Sequence, residues 1–407
     1  MYGAKPLLDA VRASLLLALA LLMTAGSAHA VELCELNGAS VNPNNGSTTA
    51  GKTGLMRCKE GDGGPVVREQ ELKNGVFMGV VRYFRDGVLQ REYSVNERGN
   101  RDGRSREYAA TPGTNQLLRD LTLRNGTPVG LARTWHANGQ LKRATFYGDD
   151  AGNREQAYAE FTPQGQLSEL RCGKQAVLAP AIDDASLCGF RGNAPAKAEL
   201  YASNGLLRGV VTHERGVLRT RELLSGAGNT LEQLEVAADG SGVERSFGPT
   251  GAKRRELRWI EAGTVDAPRR VMLLEQEFHE AGTLVKERRW RAAERGSELQ
   301  LEQQWYLNGQ PREKTEYVQI DGQPARRETR FHDNGRVSFE GTSLLKARYE
   351  NVAVGTQKSF DPQGTLRIER SFDARGRIAR EREFDEAGKL LRDDEVFEDG
   401  SRKAFAR

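Results

Sequence analysis

The sequence predicts an all-β protein, an elongated array of repeated antiparallel β-hairpins forming an extended twisted sheet. Three observations predict it. A short aromatic–glycine–aliphatic unit recurs, the stretches between its copies alternate apolar and polar residues, and glycine is abundant, at 45 of 407 residues. Only 38% of residues are hydrophobic and 29% are charged, against a globular norm of about 45–50% apolar with glycine included and about 25% charged. Such a chain buries a thin apolar layer repeated along its length more readily than one large core.

The first thirty residues stand apart from that fold. Lys5 and Arg12 make a basic start, Ser14 to Met23 is an apolar run, and Ala28-His29-Ala30 ends it with small residues flanking one larger one, the layout of a secretory signal peptide. Cleavage after Ala30 is expected, leaving Val31 as the N-terminus of a periplasmic or secreted chain. The apolar run is shorter than the roughly 20 residues a membrane-spanning helix needs, and no later stretch approaches it, so no transmembrane segment is expected. Cys34 follows Val31-Glu32-Leu33 where lipid attachment would want a small residue, and no lipid anchor is expected there. The formal charge of +4 falls to about +3 on cleavage. Acidic and basic residues alternate instead of forming blocks, which argues against a nucleic-acid partner or a polybasic membrane patch.

The repeat unit is an aromatic, three residues usually including Asp, Asn or Pro, a glycine, any residue, then an aliphatic. Trp135 to Leu141 (WHANGQL) is a clean copy, as are Phe161 to Leu167, Tyr201 to Leu207, Phe278 to Leu284, Phe331 to Val337, Phe360 to Leu366, Phe372 to Ile378 and Phe384 to Leu390. Phe360, Phe372, Phe384 and Phe397 are spaced 12, 12 and 13 apart, which fits a strand, a tight turn and the start of the next strand. Asn-Gly, Asp-Gly and Ala-Gly pairs between alternating segments mark hairpins, because glycine takes positive φ without cost. The aromatic and the aliphatic are expected to pack across the turn. On this reading Trp135, Phe161, Phe278, Phe331, Phe360, Phe372 and Phe384 are repeat-core residues, each more buried than the residue after it.

A longer period is also present. Cys58 and Cys188, Pro65 and Pro195, Glu69 and Glu199, Asn74-Gly75 and Asn204-Gly205, and Gly79 and Gly209 all match at an offset of 130, which implies a tandem duplication. Four cysteines alone allow three pairings. With one pair per copy, Cys34–Cys58 and Cys172–Cys188 are the economical disulfides, each expected to contribute about 3 kcal/mol in the chain-entropy model. The chain then divides into a signal peptide at 1–30, a disulfide loop or cap at 31–66, a first repeat block at 67–167, a duplicated block at 168–300 and a last block at 301–407. The cysteine-bearing segment and the charged stretch Asp399 to Arg407 are expected to cap the open edges.

The aromatic-x-x-x-Gly-x-Leu unit, led by a glycine in Asn125 to Trp135 (NGTPVGLARTW), resembles the MORN-repeat variant of exported bacterial proteins. The likeness runs from about Val66 to Gly400. Phe372 to Arg377 and Phe384 to Lys389 also resemble, more weakly, the YD repeats of large secreted shells. The first resemblance implies a stack of β-hairpins used for protein or lipid contacts, without catalytic residues.

Motifs of catalysis are scarce. His136, His279 and His332 directly follow repeat aromatics and read as surface residues, as does His213. Asp183-Asp184 reads as a solvated loop, since a cation would want further oxygen ligands at fixed spacing. Gly61-Asp-Gly-Gly64 lacks the lysine-serine of a phosphate loop. No catalytic, cofactor or metal residues are assigned, and no cofactor is expected. The function predicted is a non-enzymatic binding or scaffolding module of the bacterial envelope with a protein partner. A glycan-binding or carbohydrate-acting protein, with Tyr83, Trp135, Trp305 or Tyr306 stacking on sugars, is the alternative.

Overall fold

The computed structural model describes residues 32–111, 113–149, 154–192, 194–264, 267–347 and 350–406. The expected signal peptide and its cleavage site lie outside the described residues. Twelve strands, from Glu32–Leu36 to Leu167–Arg171, form one open sheet, and seventeen, from Ala196–Tyr201 to Arg402–Ala406, form a second. In the second sheet every strand lies between its sequence neighbours. The first departs from that order at one place, where Glu32–Leu36 sits between Ala39–Val41 and Gly54–Glu60. The boundary between the two compact units, Met1–Ala159 and Glu160–Arg407, falls within the strand Glu155–Phe161. The array is therefore divided between two sheets and does not form a single one.

The repeat unit is a hairpin connection. At 136–140 the His136 N–H donates to the Gln140 carbonyl and the Gly139 N–H to the His136 carbonyl, both at 2.9 Å, and Gly139 has φ +85°. This is a tight turn ended by a left-handed residue. The same two bonds recur at turns from 96–100 to 397–401. In the register the aromatic ends one strand and the aliphatic faces it: Trp135 opposite Leu141, Phe278 opposite Leu284, Phe331 opposite Val337, Phe360 opposite Leu366 and Phe384 opposite Leu390. A short polar side chain fixes most of these turns. The Oδ1 atoms of Asp361, Asp373 and Asp385 accept from the N–H groups two and four residues on, and Asn138, Asn204, Asn308 and Asn334 accept from the N–H two residues on. Shorter two-residue turns, such as Asn74-Gly75 and Asp321-Gly322 with positive φ at both positions, close other hairpins.

The duplicated segments build matching strands, Val66–Lys73, Val76–Arg85 and Val88–Val95 against Ala196–Tyr201, Leu207–Glu214 and Val217–Leu224. They differ where the cysteines lie. Cys58 is on a strand directly opposite Cys34, whereas Cys188 follows a four-residue helix, Asp184–Leu187. The turns differ as well: Asn204-Gly205 sits in the longer 202–206 connection, in which only Gly205 has positive φ.

Apolar burial is local. Cys34, Leu36, Val41, Met56, Cys58 and Leu72 form one cluster at the start of the first sheet. In the second sheet, Leu178, Cys188, Ala198, Leu200 and Val211 are buried around the second cysteine loop, and Trp259 and Val271 further on. Gly242 faces the Trp259 ring, with no room for a Cβ between them. The repeat aromatics Trp135, Phe161, Phe278, Phe331, Phe360, Phe372 and Phe384 are all half-buried. His279 is more exposed than Phe278, but at Phe161 the order reverses, since Thr162 is buried. A ring that ends a strand of an open sheet has a neighbour on only one side of the turn, which limits how far it is covered.

Gly376 tests the turn geometry. It has φ +78°, and a Cβ there would lie 2.5 Å from Val352 Cγ1, whereas one at Gly364 (φ +88°) meets only Arg336, at 3.8 Å. Gly376→Ala should cost about 2–4 kcal/mol and Gly364→Ala about 1 kcal/mol, read from urea unfolding midpoints. Equal costs would mean that the Val352 contact is not limiting.

Candidate interaction surface

The dominant polar feature is a row of side chains, one per strand, running across the first sheet. Arg57, Glu69, Arg82, Glu92, Arg106, Asp120 and Arg133 are consecutive cross-strand partners, alternating in sign on one face. Arg57–Glu69 is 3.1 Å, Arg82–Glu92 2.8 Å and Arg133–Asp120 2.9 Å. Arg104 adds two 2.8 Å bonds to Asp120. The short carboxylate lies against the backbone with 5% of its surface exposed, and longer arginines lie over it. The Arg104 guanidinium holds the Asp120 carboxyl below the usual carboxylate range, outweighing the burial that would raise it.

The second sheet carries the same device. Gln233, Arg245, Glu256, Gln276, Glu287 and Gln303 are consecutive partners. So, further on, are Glu340, Lys358, Glu369, Arg382 and Asp393. Burial alone would raise the Glu256 pKa, but Lys253 at 2.9 Å and Arg258 at 2.6 Å bring it below the ordinary value. Asp393 and Asp394 point to opposite faces, and both are buried. Arg380 closes over the first at 2.7 Å and Arg392 over the second at 2.5 Å.

The two disulfides form as expected, but His213 and Asp184 take other places than expected. Cys34 is bonded to Cys58 and Cys172 to Cys188. His213 is not at the surface: it is 2% exposed, its Nδ1 has no hydrogen-bond partner, and burial lowers its pKa to about 4. The signal was legible, since His213 follows Val211 at the strand period of two and shares its buried face. Asp184 is not solvated either. It is 1% exposed, and its Oδ2 accepts from the N–H groups of Val177 at 2.7 Å and Leu178 at 2.9 Å, fixing the cysteine loop. Asp183 does stay exposed, as the cap of the short helix, bonded to Ser186 and Arg191.

The turn histidines do not converge. His332 Nε2 lies 3.0 Å from the Phe360 carbonyl and so joins one turn to the next, and His279 Nδ1 accepts from the Ala281 N–H within its own turn. Gly61-Asp-Gly-Gly64 is a connection between strands, where a Cβ on Gly64 would strike the Glu60 carbonyl. Glu32 approaches the sulfurs of Cys34 and Cys58, but both belong to a disulfide and offer no thiolate. Three of the four aromatics proposed for sugar stacking carry guanidiniums on their faces: Arg68 and Arg91 over Tyr83, Arg133 over Trp135 and Arg312 over Tyr306. A cleft of about 450 Å³ holds Glu294 and Glu298. It is the tip of a hairpin, and Arg291 occupies Glu298 at 2.7 Å.

These features define an open-sheet protein of β-hairpin repeats. Residues 128–149 and 353–374, each spanning most of a strand, a repeat turn and the next strand, match the MORN repeat variant family model. The chain carries repeats of this kind at those two sites. No curated protein matches it. Among solved structures, a TcdB2-TccC3-Cdc42 crystal structure is 10% identical over 86% of this chain, with a TM-score of 0.18. The Photorhabdus luminescens Tc holotoxin pore is 10% identical over 87%, with a TM-score of 0.16. This chain spans 20% of the length of each of those chains. A putative 6-phosphogluconolactonase from Bacteroides uniformis is 13% identical over 92% of this chain and 95% of its own, with a TM-score of 0.14. Likenesses at these TM-scores carry no conclusion about activity.

Two measurements probe this chemistry. Asp120→Ala removes the acid that three partly exposed arginines share and should cost about 1–3 kcal/mol, whereas Arg57→Ala, at the exposed end of the row, should cost under about 1 kcal/mol. Similar unfolding free energies for the two would refute the shared-acid role. His213 sets a pH window. The unfolded state takes up a proton at its ordinary pKa of 6.5 and the folded state only at about 4, so stability is full above 6.5 and declines towards 4, by about 3 kcal/mol. In His213→Leu the unfolding midpoint should be flat between pH 6.5 and 5; a slope like that of the parent would assign the window to another group.

Proposed function

We propose that this chain is a non-enzymatic binding or scaffolding module, exported to the bacterial cell envelope, whose strands present many similar contacts to a protein partner. One observation carries the reading. The charged and amide side chains are distributed one per strand along cross-strand rows and do not gather at one centre. Catalysis needs a few groups held at one place within about 0.5 Å of working geometry and supported by neighbours. A repeated row suits a sum of modest contacts. The match to MORN repeat variant units supports the same reading. Two disulfides and the lack, among the described residues, of a helix long and apolar enough to cross a membrane agree with an oxidising compartment.

The test is crosslinking and affinity capture from envelope fractions with three proteins: the parent chain, a variant with His136, His279 and His332 all changed to Ala, and a deletion of residues 360–383. The deletion removes two whole units, so the remaining strands keep their alternation. The histidine variant should retain the captured partner, and the deletion should lose most of it while circular dichroism still shows β-structure. Loss on histidine substitution alone, with the fold intact, would replace the scaffold reading by an active-site one.

A further inference from the structure

The face of the first sheet opposite the Arg57–Arg133 row is built differently. Cys58, Arg68, Tyr83, Arg91, Glu107 and Arg119 are consecutive cross-strand partners there. Each of the last five is a chain neighbour of a member of the alternating row, so it points the other way. In the alternating row each of the four arginines has a carboxylate partner. This one holds three arginines and a single acid. Among the described residues, Arg68, Arg91, Arg119 and the nearby Arg101 have no carboxylate within 4.0 Å.

Three of these guanidiniums are held by rings instead. Arg68 lies 5.7 Å from the Tyr83 centroid, Arg91 4.9 Å from Tyr83 and 5.5 Å from Tyr93, and Arg101 4.3 Å from Tyr93. The two rings stack at 6.2 Å and 24°. The arginines over Trp135, Tyr158 and Phe339 are each paired with a carboxylate as well, as Arg133 with Asp120, Arg143 with Glu155 and Arg330 with Glu328. At Tyr83 and Tyr93 the acid is missing: Arg68 donates only to the neutral Gln70, at 3.4 Å, and the Nε atoms of Arg68 and Arg91, like that of Arg133, are buried without a hydrogen-bond partner.

We infer that Arg68, Arg91, Arg101 and Arg119, ordered by Tyr83 and Tyr93, form the docking surface for an acidic segment of a partner protein. The inference rests on the binding-module reading and names the partner's chemistry. Charge complementarity selects the occupant. The ring contacts immobilise the guanidiniums in advance, so less side-chain freedom is lost on pairing, and planar guanidiniums match carboxylates two bonds at a time. Arg68, Arg91 and Arg119 stand on alternate strands, about 9–10 Å apart at the usual strand spacing, so the surface takes carboxylates spread along a segment and not one compact ion. The ring faces are covered, which removes the stacking a neutral sugar would use.

The test uses the full mature chain and poly-L-glutamate as the probe, with inorganic phosphate, heparin and phosphatidylglycerol vesicles as competitors. A variant with Arg68, Arg91, Arg101 and Arg119 changed to Gln should bind polyglutamate about tenfold more weakly or worse. A charge-matched variant, with the exposed Arg85, Arg98, Arg208 and Arg375 outside both rows changed to Gln, should bind within about twofold of the parent. Arg101→Gln alone changes an exposed residue with only a ring contact; it should weaken binding measurably and serves if the fourfold variant does not fold. Equal losses in the two fourfold variants, or no loss in either, would overturn the inference. Heparin, phosphate or vesicles displacing the probe at lower charge concentration than polyglutamate itself would also overturn it, in favour of a sulfated glycan, phosphate or lipid ligand. If this surface fails while deletion of residues 360–383 still abolishes partner capture, the binding-module reading stands and only the location is wrong.

Discussion

The pairing of arginine with carboxylate across neighbouring strands is the constraint on which the rest of the structure depends. An open sheet with few large apolar residues cannot bury its faces in a conventional core. Here much of what is buried is acidic: Asp120, Glu256, Glu287, Glu328, Glu381, Asp393 and Asp394 are each at most 8% exposed. Each is short enough to stay near the backbone, and a longer arginine or lysine from the same or an adjacent strand covers it. The aliphatic stem of arginine supplies apolar cover while its head neutralises the acid. A single exposed pair of this kind contributes little, but an acid shared by three bases, as at Asp120, leaves an uncompensated buried charge when the bases are removed.

This arrangement requires accurate register, because a slip of one residue would send every acid of a row to the other face. The turns provide it. The repeat connections share the same two backbone bonds and a glycine at positive φ, and most add an Asp, Asn, Ser or Thr side chain bonded back to the chain. Neighbouring turns are tied to each other as well, by Asn308 to the Asp333 carbonyl at 2.7 Å, Asn334 to the Pro362 carbonyl at 2.7 Å and Tyr306 to the Phe331 carbonyl at 2.9 Å. These ties span 25 or 28 residues, because turns on the same edge of the sheet recur at every second strand.

The second cysteine loop departs from the repeat. Its backbone pairs with a hairpin tip, Arg215 and Gly216 donating to the Gly189 and Cys188 carbonyls at 3.1 and 2.8 Å, and a Cβ on Gly216 would run into Gly173. Asp184 fixes the loop from inside, and His213 is buried as the neutral ring. Acid therefore acts on the protein in two ranges: through His213 above pH 4, and through the depressed carboxylates only below their ordinary values near 4.

The sequence by itself determined the strand class, the hairpin period and the turn chemistry. Trp135, Gly139 and Leu141 declare a connection whose geometry follows from the conformational freedom of glycine and the local reach of Asn and Asp, all within a few residues. The alternation of Arg380, Glu381, Arg382 and Glu383 showed which charges share a face. It could not show which would be buried, since that depends on which strand lies alongside. The division into two sheets, the burial of Asp184 and the half-exposure of Phe161 were decided by tertiary structure, because each depends on segments far apart in sequence meeting or failing to meet. The same holds for charge. Arg68, Arg91 and Arg119 sit in the chain beside Glu69, Glu92 and Asp120 and look neutralised there, yet a strand sends neighbours to opposite faces, and only the register reveals one face filled with pairs and the other left with unmatched arginines.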